Sequence, residues 1–172
     1  SRCLADTSPL SHVRECAERD NPLSDQVLRA LQDLGGAGML VPEEHGGLGM
    51  TLLDAAVVAE QLGYAVAPVP FLASQVLAPI ALRDAGSEEQ KAHWLPKIAS
   101  GEAIGTLALF EGKGNPSPKA IKLQASGGTL TGVKKPVPDG AIADFAVVAA
   151  RTGSTGRDSD ISLFLVDLKA GG

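Results

Sequence analysis

Leu34-Gly35-Gly36-Ala37-Gly38-Met39-Leu40-Val41-Pro42-Glu43-Glu44-His45-Gly46-Gly47-Leu48-Gly49 reads as the end of a helix, a short extended run and a tight polar loop. On its N-terminal side the apolar residues Val27, Leu28, Leu31 and Leu34 recur at helical spacing, with Ser24 in position to cap and Gly35 to stop the helix. On its C-terminal side Thr51 and Asp54 stand three apart, a capping box in which Asp replaces the usual Glu. A glycine-rich elbow therefore joins two helices close to the core. A turn this tight predicts positive φ at Gly46 or Gly47.

Further along, the segment from Leu52 to Tyr64 has polar residues only at Asp54, Glu60 and Gln61, so it is predicted as a buried central helix, apolar nearly all round. Pro68 and Pro70 break the chain. Phe71 to Ala85 reads as helical with a kink or break near Ala78, set by Pro79. Ser87 and Gln90 make a capping box for a helix whose Trp94, Leu95 and Ile98 face inward, and Pro96 is expected to bend it. Upstream, Leu4, Leu10 and Val13 lie among charges, and Ser11 is predicted to cap a short helix ending at Arg19.

From Ala103 the apolar period changes from 3.6 to 2, which sets a boundary near Gly101. The expected strands are Ile104 to Glu111, Ala120 to Gln124, Thr129 to Lys135, Asp144 to Arg151 and Ile161 to Asp167, with turns at Ser126-Gly127-Gly128 and from Gly153 to Asp160. The fold class is α+β of the multi-domain type, helical over 1–101 and β over 102–172.

With 172 residues, 44% of them hydrophobic, the chain can bury a real core. Its four Phe, one Trp and one Tyr leave that core to Ala, Leu, Val and Ile and exclude an aromatic platform for single-stranded nucleic acid. Residues 1–101 carry 7 basic and 13 acidic side chains and residues 102–172 carry 8 and 7, so neither part is a nucleic-acid surface. There is no signal-peptide pattern and no apolar run long enough to span a bilayer. Cys3 and Cys16 read as two reduced thiols in a cytosol-like compartment, which places the protein in the cytoplasm.

Several apparent sites have simpler explanations. Gly112-Lys113-Gly114 is a turn and lacks the spacing of a phosphate loop. His45 beside Glu43 and Glu44 has no further metal ligand indicated, and His12, His45 and His93 are expected at the surface. Glu88 and Glu89 suit the first turn of a helix through its dipole. Ser11, Ser74 and Ser100 lack the Gly-x-Ser-x-Gly elbow of hydrolases.

The elbow, followed by an Ala/Val helix ending Glu60-Gln61-Leu62-Gly63, closely resembles the N-terminal helical domain of flavin-dependent acyl-CoA dehydrogenases. Gly86-Ser87-Glu88-Glu89-Gln90-Lys91 through Trp94-Leu95-Pro96, then Ala99-Ser100-Gly101-Glu102, resembles the same family at the expected distance downstream. The resemblance implies that residues 102–172 are part of a barrel-like middle β-domain. It also implies an oxidoreductase of lipid metabolism that oxidises the α,β C–C bond of an acyl-CoA with FAD, in a homo-oligomer or in a hetero-oligomer with an acyl-CoA dehydrogenase subunit. In the family a carboxylate of the C-terminal domain removes the α-proton while flavin N5 takes hydride from the β-carbon. The region that carries that base is not expected within residues 1–172, so no catalytic residue is assigned here.

The family's flavin-contacting positions align with Leu107, Leu109 and Phe110 in the run from Leu107 to Asn115, and with Pro136 and Pro138 after Gly132-Val133-Lys134-Lys135. Phe110 stands where the family has Thr, and the two prolines replace an aromatic residue and a Thr. Each lost side-chain hydrogen bond is worth about 1 kcal/mol, so the chain is expected to bind FAD weakly or through backbone groups only. Two roles follow from the resemblance. One is a part or subunit of an acyl-CoA dehydrogenase; the other is a catalytically degenerate partner that completes an assembly with an intact subunit.

Overall fold

A computed structural model describes residues 7–19, 22–114, 117–155 and 157–170. The expectations attached to Cys3, Leu4 and Asn115 lie outside the described residues. The chain divides into two units, Ser1–Ile104 and Gly105–Gly172.

The first unit is helical. Its elements are α1 (Leu10–Ala17), α2 (Asp25–Asp33), 3-10 turns at Gly36–Gly38 and Glu43–His45, α3 (Leu52–Tyr64), a π-helix (Phe71–Leu77), α4 (Ala78–Ala85) and α5 (Glu88–Ala99). Ser24 caps α2 by accepting the Val27 N–H at 3.3 Å. The elbow is then stitched by main-chain bonds: the N–H groups of Leu48, Gly49 and Met50 donate to the carbonyls of Gly38, Val41 and Met39 at 2.8, 2.9 and 2.7 Å. Its two glycines act for different reasons. Gly46 takes φ +82° with open space beside it, whereas a Cβ on Gly47 would run into the Val41 carbonyl.

At the start of α3 the Asp54 carboxylate accepts both the Thr51 N–H (2.9 Å) and the Thr51 hydroxyl (2.6 Å), which hold it below the usual carboxylate range. The helix is not buried all round, contrary to its composition. Only Ala55 and Leu62 are buried, while Leu53 is 75%, Val57 57% and Tyr64 91% exposed. The core formed by Leu31, Met39, Leu40, Phe71 and Val76 covers one side of α3. Among the described residues nothing covers the other.

Pro79 does not break the chain. The Ala78 N–H donates five residues back to the Ala73 carbonyl, so the backbone passes through a widened π turn directly into α4, with Pro79 in its first turn. In α geometry the proline ring would press on the carbonyl four residues earlier, and the wider turn changes that spacing. The capping box of α5 forms as expected, and Trp94, Leu95 and Ile98 are buried. The helix continues through Pro96 to Ala99.

Two expectations near the start are corrected. α1 begins at Leu10, preceded by Pro9 with no side-chain cap, so Ser11 is not its cap. His12 is half-buried rather than a surface residue: its Nε2 lies 2.8 Å from Ser24 Oγ and 3.5 Å from Cys16 Sγ, tying α1 to the cap of α2. His45 is half-buried as well, and His93 is exposed.

The second unit is one five-stranded sheet: β1 (Gly105–Ala108), β2 (Gln124–Ser126), β3 (Thr129–Thr131), β4 (Phe145–Arg151) and β5 (Ile161–Asp167). β4 is central, parallel to β1 and antiparallel to β5, with Gly105 opposite Phe145 and Val148 opposite Phe164. Its apolar run Phe145 to Ala150 is buried at every position, so both faces are covered. β2 and β3 form a hairpin whose turn glycines Gly127 and Gly128 both have positive φ. Three of the expected strands are shorter than their patterns. β1 ends at Ala108, β3 ends at Thr131 before Gly132, and β2 starts only at Gln124 because the N–H groups of Lys122 and Leu123 are taken by a side chain, Glu111.

Candidate functional site

Of the positions aligned with flavin contacts, Leu107 is half-buried on β1 opposite Val147, and Leu109 and Phe110 follow just past the strand end. The main chain brings residues 134–138 alongside them. The Lys135 N–H donates to the Phe110 carbonyl at 2.8 Å, the Gly112 N–H to the Lys135 carbonyl at 2.6 Å, and the Thr106 hydroxyl to the Pro138 carbonyl at 2.5 Å. Pro136 follows a cis peptide bond, and both Pro136 and Pro138 are exposed. A cavity of about 280 Å³ opens at the strand end, lined by Leu109, Phe110, Glu111, Lys113 and Lys122 among others; Leu107, Pro136 and Pro138 do not line it.

The residues that tie this region together escaped the sequence reading. Lys134 Nζ lies 2.7 Å from Glu111 Oε1 and donates to the Leu109 carbonyl at 3.3 Å. The Glu111 carboxylate also accepts the N–H groups of Lys122 (2.8 Å) and Leu123 (3.0 Å). The side chains of Lys134 and Glu111 are 5% and 13% exposed. Burial alone would push the Glu111 carboxyl up, but the hydrogen bonds from Lys134, Leu123 and Lys122 outweigh it and hold the group below the usual carboxylate range. No spacing rule pairs residues 23 apart, so only the fold reveals the contact.

An isoalloxazine ring offers two apolar faces and an edge of hydrogen-bonding atoms. Leu107, Leu109, Phe110, Pro136 and Pro138 have no nitrogen or oxygen in hydrogen-bonding side-chain groups. Side chains of this chemistry would suit the faces and leave the edge to main-chain groups, and of the five only Leu109 and Phe110 line the cavity. Among the described residues there is no cluster of three or more His, Cys, Asp or Glu that could hold a metal. No helix among them is long and apolar enough to cross a membrane.

The profile of the acyl-CoA dehydrogenase N-terminal domain matches residues 2–102. The chain belongs to the acyl-CoA dehydrogenase family. Acyl-CoA dehydrogenase FadE27 of Mycobacterium tuberculosis is 35% identical over 155 residues, which cover 90% of this chain and 40% of that protein. The crystal structure of the ChsE4-ChsE5 complex, also from Mycobacterium tuberculosis, superposes with TM-score 0.83 at 31% identity, covering 98% of this chain and 44% of that one. An acyl-CoA dehydrogenase from Bacillus anthracis complexed with FAD aligns with TM-score 0.73 at 26% identity over 96% of this chain and 30% of that one. The chain thus spans less than half the length of these family members. The acyl-CoA dehydrogenase fold comprises here a helical N-terminal domain and a partial sheet.

Proposed function

We propose that this chain is part of, or a subunit of, an FAD-dependent acyl-CoA dehydrogenase that oxidises the α,β C–C bond of a CoA thioester, with 1–101 as its N-terminal helical domain and 102–172 as part of its middle β-domain. The observation that carries the reading is the family match over residues 2–102. When bound, the flavin supplies hydride acceptance. The residues of this chain that would hold it are Leu107, Leu109, Phe110, Pro136 and Pro138, as apolar walls and main-chain groups. The buried Cys16 thiol, with no disulfide, suits a cytoplasmic protein.

A second reading, that the chain is a degenerate partner of an intact dehydrogenase subunit, is favoured by the absence of polar side chains at Phe110, Pro136 and Pro138. The similarity to the ChsE4-ChsE5 complex supports a heteromeric assembly. The test is to purify the chain alone and together with an intact dehydrogenase encoded beside it, recording flavin absorbance and acyl-CoA-dependent dye reduction. The chain alone is expected to be colourless, because too few contacts remain to order so large a cofactor. Stoichiometric FAD on the single chain would overturn the degenerate reading, whereas flavin confined to the complex supports it.

A further inference from the structure

Glu111 and Lys134 meet where three main-chain segments converge. One carboxylate gathers the N–H groups of Lys122 and Leu123 and the Lys134 ammonium, and that ammonium in turn holds the Leu109 carbonyl. Beside them run the main-chain bonds linking Phe110 and Gly112 to Lys135. We infer that Glu111 and Lys134 are positioning residues for the cofactor. By fixing residues 109–112 against residues 134–138, they set the course of the two main-chain segments to which the flavin reading assigns the cofactor. The inference rests on the flavin reading above.

The choice of an ion pair at this place supports it. Desolvation offsets most of the attraction between two largely buried charges, so an apolar pair of similar size would fill the same space without the cost of taking charge out of water. An apolar pair cannot orient N–H and C=O groups. The charged pair does so through three hydrogen bonds to main-chain groups, held together by the fourth between Lys134 and Glu111, in a region where Leu109, Phe110, Pro136 and Pro138 contribute no polar side-chain atom of their own. Where a cofactor is contacted by backbone alone, the groups that aim the backbone take over the role of ligating side chains.

The experiment uses the complex of this chain with the dehydrogenase subunit it purifies with, in four forms: wild type, Glu111→Gln, Lys134→Met, and the double variant Glu111→Leu with Lys134→Met. FAD affinity is read from flavin fluorescence on dilution, the site's environment from the visible band of bound flavin, and folding from the circular-dichroism melt. Each single variant is expected to weaken FAD binding about tenfold, the loss of about one well-placed hydrogen bond, and to shift the flavin band. The double variant, which removes the unpaired charge but still leaves three main-chain groups without these partners, is expected to recover part of the melting temperature without recovering FAD affinity or the band. Recovery of all three together would make the pair a packing device and overturn the inference. A wild-type complex that holds FAD, with single variants that melt lower but bind it unchanged, would overturn the inference alone. A wild-type complex that takes up no FAD would overturn the flavin reading as well.

Discussion

Val66 is a β-branched residue at φ +48°, directly after the end of α3. Its N–H donates to the Gly63 carbonyl and the Ala67 N–H to that of Leu62, the paired bonds of a Schellman ending in which glycine normally occupies this position. The left-handed conformation costs a non-glycine residue about 1–2 kcal/mol, and the side chain is 57% exposed, so little packing is returned. Val66→Gly is therefore expected to raise stability by up to about 1 kcal/mol after the entropy of the new glycine is counted, seen as a higher melting temperature. Gly47 is the opposite case. Any side chain there collides with the Val41 carbonyl, so Gly47→Val should lower the melting temperature clearly, and an unchanged melt would show that the elbow is loose. Glu111 adds a pH dependence. Its carboxyl is depressed in the folded state, so its contribution is complete above the unfolded value and is lost as pH falls through the folded one. Acid titration of wild type should show a loss of stability in that window that is reduced in Glu111→Gln.

Within the helical unit, α3 is held on one side only. α3 rests on Leu31, Met39, Leu40, Phe71 and Val76 and turns Leu53 and Val57 outward. A cavity of about 320 Å³ lies along it, lined by residues including Leu34, Leu48, Met50 and Val57. Placing a charge at an exposed position of a helix changes stability by roughly 0.5 kcal/mol or less. Leu53→Glu and Val57→Glu are thus expected to leave the melt of the isolated chain almost unchanged while reducing both its binding of a hydrophobic dye and its co-purification with a dehydrogenase subunit. A large fall in melting temperature instead would mean that this side of α3 is already packed.

At the scale of the whole chain, the division at Ile104 and the exposed Lys113 and Lys119, the latter in the 3-10 turn Pro118–Ala120, direct limited proteolysis. Trypsin should cut at Lys113 or Lys119 first, and mass spectrometry of the first fragments checks it; early cleavage at Arg29 or Arg83, inside α2 and α4, would contradict the ordering. Local chemistry was legible without the fold wherever cause and effect lie within a few residues: the caps at Ser24, Thr51 and Ser87, the glycine elbow, the hairpin at Gly127-Gly128 and the change of period before β1. The family was legible for the same reason, since its motifs are contiguous. Composition failed for α3, because an apolar pattern records that a surface avoids water and not whether this chain itself supplies the cover. Periodicity overran β1 and β3 and misplaced β2, the last because Glu111, distant in sequence, takes the Lys122 and Leu123 amides that a strand partner would have taken. The Glu111–Lys134 pair, the His12 link to Ser24 and the approach of residues 134–138 to Phe110 depend on groups 12 to 23 or more residues apart, and only tertiary packing sets those distances.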